Sequence, residues 1–325
     1  MGKTLKMLSI GTATQDVFLI GGDIFKPSRE EDGKDYEQLL LGAKLRLKDV
    51  VFATGGNAMN AAVAFARQGL DSEFMGVIGT EPAGQAVLAE LDADGVGTRY
   101  LHQDERFRTN YSTILLAPTG ERTILSYHGN HLRPDGSDIH LDAIAEADWL
   151  YVSSVGSMEL LDRIFGLAAK NGVQVAFNPS GAELAQADKL RPLLDDVTVL
   201  ITNKDEMQQI VEGQSAEELL HHAAHLVRTV VISDGPNGVV ATDGKHVIEA
   251  GMYEDVPVID RTGAGDAFGS GFVAMYAQGK ALEEAVTFAS ANATSVVQQI
   301  GAKAGILHRH AKLHDMPIKV SELVR

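Results

Sequence analysis

Apolar and polar positions along this chain alternate in blocks rather than residue by residue. Short apolar runs at Leu5–Ile10, Glu73–Ile78, Trp149–Val152, Val173–Phe177, Val197–Ile201 and Thr229–Ile232 read as strands buried on both faces. Between them lie stretches with helical spacing at Asn57–Gln68, Gly84–Leu91, Glu159–Lys170, Ala182–Leu194 and Asp205–Val211. Strands alternating with helices predict βαβ units, hence an α/β fold with a mostly parallel central sheet and helices on both faces. Two stretches interrupt the rhythm. Phe18–Val51 contains a Gly-Gly pair and a polar cluster at Lys26–Gly33, and ends in strand-like material at Phe52. Tyr100–His128 holds two β-rich pieces, Tyr111–Ala117 and Arg122–Tyr127, joined by the turn Pro118-Thr119-Gly120-Glu121. Both lie in the N-terminal half. The pattern therefore predicts one main domain with a small discontinuous β-lid built from about residues 17–53 and 99–132.

Composition narrows the functions such a fold could serve. Among 325 residues there are 28 basic and 44 acidic ones, a formal net charge of −16, and no cysteine. That balance argues against nonspecific nucleic-acid binding, which needs a basic face. The missing cysteines exclude disulfides, thiolate catalysis and Cys-type zinc sites. No apolar run approaches the roughly 20 residues of a membrane span, and Met1–Leu5 lacks a signal-peptide layout, so a cytoplasmic location is expected. The acidity also constrains anionic ligands. The overall field opposes a phosphate, so backbone N–H groups, a helix N-terminus, a few cations or a metal must attract it locally.

One segment offers such a device. Asp260-Arg261-Thr262-Gly263-Ala264-Gly265-Asp266-Ala267-Phe268 follows a strand-like run, Val256–Ile259, and opens a helix running through Phe272 and Tyr276. Small residues at 263–265 let the chain turn tightly and aim successive N–H groups at one point, with the helix dipole behind them. Asp266 sits inside this anion hole, where a carboxylate is electrostatically awkward. General-base work on a hydroxyl that attacks phosphorus would explain it. The segment is neither a Walker A loop nor a dinucleotide fingerprint, since the third glycine falls at 269 and no Gly-Lys-Ser/Thr follows. Gly79–Gly84 has Walker-like spacing but continues Gln85-Ala86.

Asp260–Phe268 resembles the C-terminal signature of the ribokinase-like (PfkB) family of sugar and nucleoside kinases. Three further segments resemble that family's marks in the same order: Thr54-Gly55-Gly56-Asn57-Ala58-Met59-Asn60, Asn203-Lys204-Asp205-Glu206 and Ser233-Asp234-Gly235-Pro236-Asn237-Gly238. The resemblance implies a ribokinase-like three-layer sandwich with a mostly parallel sheet and β-lid. It implies ATP-dependent phosphorylation of a hydroxyl on a small sugar, with a nucleoside as the alternative acceptor. Asp266 would be the base, and the N–H groups of Gly263, Ala264, Gly265 and Asp266 the cradle for the phosphoryl group. Asp16, Gly55, Gly56, Asn57 and Asn60 would bind the acceptor. Asn178, Asn203, Ser233, Gly235, Gly238 and Asn292 would border the nucleotide. Glu206 with Asn203 would hold Mg²⁺ through water, and Asp260 with Thr262 would lie near a K⁺ site.

The chain departs from the pattern in two places. Arg261 stands where a small hydroxyl residue is usual, and Phe177-Asn178-Pro179-Ser180 lacks the Asp and Arg that many sugar kinases carry there. Arg108, Thr109, Tyr111, Tyr127, His128 and Asn130 are the lid's candidates for choosing the acceptor. Two tyrosines could wall a nucleoside base, whereas polar groups would suit a bare sugar. The spaced pairs His221/His225 and His310/His314 lack the acidic pattern of a zinc enzyme and read as exposed helix histidines. A non-catalytic sensor would dispense with the base, yet Asp266 is present. A dehydrogenase would need Gly-x-Gly-x-x-Gly after the first strand, which instead ends Gly11-Thr12-Ala13-Thr14. An exposed lid edge invites a second copy, so a homodimer is expected.

Overall fold

The computed structural model describes residues 4–129, 132–251, 253 and 256–323. A ten-stranded sheet forms its centre. From one edge its strands run Gly97–Gln103, Asp71–Ile78, Lys6–Gly11, Trp149–Ser153, Gln174–Asn178, Val199–Asn203 and Thr229–Ser233, all parallel. Val239–Thr242, His246–Ala250 and Ile318–Glu322 then extend it antiparallel to the other edge. The inner parallel strands are almost wholly buried, which is why they read as unbroken apolar runs.

Period-two alternation divides these strands between two cores. Tyr151, Ala176, Ile201 and Val231 pack against helices Asn57–Arg67, Ala264–Ala277 and Leu282–Val296, through Phe65, Phe268 and Phe272. Leu8, Val152, Phe177, Leu200 and Ile232 face Met158–Asn171, Lys204–Ile210 and Ala216–Ala223, through Ile164, Met207 and Leu220. The result is the expected three-layer sandwich. Its first strand lies mid-sheet, with the chain winding outward on either side. Such a switch point opens a crevice at the carboxyl ends of the strands, here at Gly11, Ser153 and Asn178.

A four-stranded sheet covers that crevice, in the order Asp49–Gly55, Thr14–Ile20, Asn110–Leu116, Arg122–Tyr127. The lid thus begins at Thr14, because the chain reverses at once after the first strand. Its second part starts at Asn110 rather than 99. Residues 97–103 instead pair with Asp71–Ile78 as an edge of the central sheet, Met75 opposite Tyr100. Within the lid Asp16, Ser112 and Ser126 are in register and share the inner face. Elsewhere, residues 182–194 form two single helical turns and a 3-10 segment, not one helix. Residues 256–259 form no strand, and Ile259 and Asp260 donate their N–H groups to the Val297 carbonyl.

Candidate active site

The turn before Ala264–Ala277 has the shape expected of an anion hole. Gly263 caps the helix in the left-handed region at φ 77°, and a Cβ there would lie 2.4 Å from the Ala302 Cβ, so only glycine fits. No side chain caps this helix; the Ala264 N–H turns back to the Arg261 carbonyl at 3.4 Å, which leaves those of Gly265 and Asp266 open. Asp266 lies in the first turn. Its Oδ2 accepts a hydrogen bond from Asn60 Nδ2 at 2.7 Å. Burial raises its pKa to about 6 and the Glu206 charge pushes the same way, against the Asn60 hydrogen bond and Lys303. A carboxylate so poised can take a proton near neutral pH.

Asp266 opens into a cavity of about 620 Å³ roofed by the lid, whose lining includes Asp16, Gly56, Asn57, Asn60 and Ser112. Asp16 is buried, hydrogen-bonded to Ser112, and likewise raised to about 6 by desolvation, with Lys303 opposing. Gly55 must lack a side chain because a Cβ would sit 2.2 Å from Asp16 Oδ2. Gly56, at φ 100°, is the N-cap of Asn57–Arg67, so Asn57 is the first helical residue and faces the cavity. Asn60 Oδ1 is buried without a hydrogen-bond partner, an acceptor facing the region where a hydroxyl would bind.

Two residues of this region carried no signal in the sequence. Lys303, wholly buried, donates through Nζ to the Thr54 carbonyl and to Thr54 Oγ1, and pairs with Glu90 at 3.4 Å. Burial lowers its pKa, against the pull of Glu90 and Asp16. Its neighbours Gly301-Ala302 and Ala304-Gly305 mark only a loop. Ser154 holds φ 55° beside the cavity, a conformation a non-glycine residue adopts at a cost.

On the far side of Gly265 lies a second cavity of about 180 Å³, bounded by Ser233, Gly235, Gly238, Phe268 and Val297. Its apolar walls suit a flat base. Asn292, expected here, does not border it. Its Nδ2 donates to the Ala267 carbonyl at 2.7 Å and its Oδ1 accepts from Leu307 N–H at 2.8 Å, so it clips two backbones together. Asn178 is similarly engaged, donating to the Ile201 carbonyl at 2.9 Å. Asn203 and Glu206 form a reciprocal capping box at 2.9 Å each way, and burial raises the Glu206 pKa. The box engages Glu206 Oε2 only. Among the described residues no cluster of three or more metal-ligating side chains exists. One carboxylate oxygen plus water fits magnesium, which keeps much of its hydration. Asp260 and Thr262 do not offer a comparable set. Asp260 Oδ1 accepts from Thr262 N and Oγ1, and its Oδ2 from Gly301 N–H, so these side chains are committed to the turn itself. Arg261 reaches across to the lid, pairing with Glu121 at 3.3 Å, while bordering the smaller cavity.

Of the lid candidates, Arg108, Tyr127 and His128 line the large cavity. Tyr111 turns to the outer face, one register step from Ser112. Thr109 is buried away from the cavity, its Oγ1 accepting from Gly79 N–H at 3.0 Å. Asn130 lies outside the described residues. His221 is helical, but His225 follows that helix and His310 and His314 lie on irregular chain.

Residues 19–309 match the family described as pfkB family carbohydrate kinase. A ribokinase of Haemophilus influenzae is 29% identical over 321 residues, covering 96% of this chain and 98% of its own. A 2-dehydro-3-deoxygluconokinase of the same organism is 26% identical, covering 80% of this chain and 92% of its own. Among solved structures, adenosine kinase from Sinorhizobium meliloti shares the fold at a TM-score of 0.77, with 23% identity over 93% of this chain and 96% of that one. Arabidopsis thaliana ribokinase, complexed with ribose and ATP, does so at 0.74, with 21% identity over 94% and 96%. Since the family match spans both the lid and the anion-hole turn, the chain belongs to the pfkB family of carbohydrate kinases and is an ATP-dependent sugar kinase.

Proposed function

We propose that this kinase transfers the terminal phosphoryl group of ATP to a hydroxyl of a small sugar bound between Asp16 and Asp266. The observation that carries this reading is Asp266 itself: a carboxylate raised to about 6, held by Asn60, at the uncapped start of a helix and open to the lid cavity. Asp16 accepts hydrogen bonds from the acceptor's other hydroxyls, with Asn57 and Asn60 beside it. That orients the reacting hydroxyl toward Asp266, which takes its proton as the oxygen attacks. The N–H groups after Gly263 meet the charge on the phosphoryl oxygens, each such donor being worth about 3 kcal/mol in the transition state. Glu206 and Asn203 would hold magnesium through water, and the ion would supply positive charge to the phosphates. The nucleotide base lies against Phe268 and Val297, and the lid excludes water that would otherwise take the phosphoryl group.

A bare sugar is favoured over a nucleoside by the lid's inner face. Ser112 and Ser126 alternate there with Ile114 and Ile124, while Tyr111 points outward. The outer face exposes Phe52 and Leu125, 73% and 57% accessible, which supports pairing with a second copy. Dependence on ATP supports a cytoplasmic setting, and among the described residues no helix is long and apolar enough to cross a membrane. ATP consumption with Mg²⁺ against a panel of sugars, sugar acids, sugar phosphates and nucleosides tests the reading. Turnover with a sugar is expected. Turnover with nucleosides alone would replace the acceptor assignment, and a monomer in light scattering would remove the dimer.

A further inference from the structure

We infer that Arg122 is a catalytic residue, a lid-borne arginine that binds the phosphoryl group in flight from the side opposite the Gly263–Asp266 turn. The inference rests on the phosphotransfer reading above. Arg122 stands opposite Leu116 on the last lid strand, and shares its inward face with Ile124 and Ser126. It lines the large cavity together with Thr262, Gly263 and Asp266. Its Nε is buried without a hydrogen-bond partner.

That is a costly arrangement in a chain of net charge −16, where carboxylates outnumber cations 44 to 28. The adjacent carboxylate, Glu121, is engaged by Arg261 instead. The same contact shows how Arg122 is held. The hairpin tip rests on the segment before the anion hole, where a Cβ on Gly120 would lie 3.1 Å from the Val258 carbonyl oxygen. Tip and ion pair together fix the strand start, and so the guanidinium, at the anion end of the cavity. An arginine built in and, among the described residues, left without a carboxylate awaits an anion from outside the protein.

The reaction supplies one. The acceptor oxygen forms a bond to the terminal phosphorus as the bond to the bridging oxygen breaks. The electron pair of that bond leaves with ADP, and the acceptor's proton passes to Asp266. Charge spreads over three non-bridging oxygens, and the helix N-terminus meets them from one side only. A planar, forked donor on the lid covers the other side. It would act only with the lid down, tying phosphoryl transfer to closure.

The test uses the full chain carrying Arg122→Gln, with Arg122→Lys as the variant that keeps charge without the fork. The Gln variant is expected to lose about 10²–10³ in kcat, with the Lys variant between it and wild type. Calorimetric binding, which needs no acceptor, is the second readout. Gln should abolish the preference for ATP over ADP while leaving ADP affinity within about twofold, because only ATP carries the terminal phosphoryl group. Unchanged kcat with an unchanged ATP-to-ADP ratio would overturn the assignment. So would preserved kcat with a raised KM confined to acid or phosphorylated acceptors, since Arg122 would then hold an anion on the acceptor. Should the wild-type chain bind both nucleotides yet phosphorylate nothing, the phosphotransfer reading fails, while the binding ratio still judges Arg122.

Discussion

Replacing Asp266 by Asn separates what the carboxylate does for chemistry from what it costs the fold. In the folded chain its pKa rises from 3.8 to about 6, chiefly through burial. A carboxylic acid with a raised folded pKa favours the protonated form, so folding loses stability as pH climbs from 3.8 and the loss is complete above 6. The linkage arithmetic gives a cost of about 1 kcal/mol at pH 4.5, about 2.5 at pH 6 and about 3 at pH 8. Asparagine is neutral throughout, and its carbonyl oxygen can still accept from Asn60 Nδ2. Urea unfolding of both chains at those three pH values should therefore show the variant increasingly more stable, the gap levelling above about pH 7. Activity should move the other way, falling at least about 10² with nucleotide affinity retained. A variant less stable than wild type at pH 8, or a gap that does not widen with pH, would refute the electrostatic account. Preserved turnover would remove Asp266 from the chemistry.

Further substitutions address the remaining roles. Asp16→Asn should raise KM for the acceptor by about 10–100-fold with ATP binding unchanged. Because Asp16 also titrates near 6, its removal should reduce the limiting acid slope of log kcat/KM from two toward one, measured across pH 4.5–7. Glu206→Gln should raise the half-saturating Mg²⁺ concentration by about tenfold; an identical magnesium titration would leave Glu206 as a helix cap alone. Asn292→Ala should destabilise the fold by about 2–4 kcal/mol, by orphaning the Ala267 carbonyl and the Leu307 N–H. KM for ATP should not change, and a rise would restore a nucleotide contact.

Apolar runs made the sheet legible wherever a strand is buried on both faces, as at Trp149–Ser153 and Thr229–Ser233. They failed at the edges. Ile318–Glu322 is nearly all exposed and carries no apolar run, and Gly97–Gln103 is only half-buried, so it read as lid material. Thr14–Ile20 was hidden by its nearness to the first strand, two residues before it. Within the site, glycines were the most readable residues, since Gly56 and Gly263 hold positive φ angles and Gly55 leaves room for the Asp16 carboxylate. Asn292 misled because an amide on a helix beside a nucleotide cavity serves equally well as an interhelical clip, and only the positions of Ala267 and Leu307 decide between the two. Lys303 and Arg122 were unreadable for a related reason: a cation's meaning depends on which carboxylate, if any, the fold places beside it.

Those two cations also answer how so acidic a chain can gather phosphates. Lys303 does not face the phosphates. It lies behind Asp16, paired with Glu90, and pulls the Asp16 pKa down against the burial that raises it. Its charge therefore favours the ionised form of the carboxylate we propose as the acceptor's anchor. Attraction for the anion falls instead to the uncapped turn at Gly263 and, in our inference, to Arg122 on the lid. One of these belongs to the sandwich and the other to the lid sheet. With Arg122 withdrawn, the cavity holds two carboxylates against the partial positive pole of the helix and Arg108, which favours polyol binding over phosphate capture. With the lid down, the guanidinium joins that pole and the balance reverses. Acceptor first, phosphoryl transfer on closure, follows from that distribution of charge. It predicts that an acceptor bound at Asp16 tightens ATP more than it tightens ADP, and that the difference disappears in Arg122→Gln.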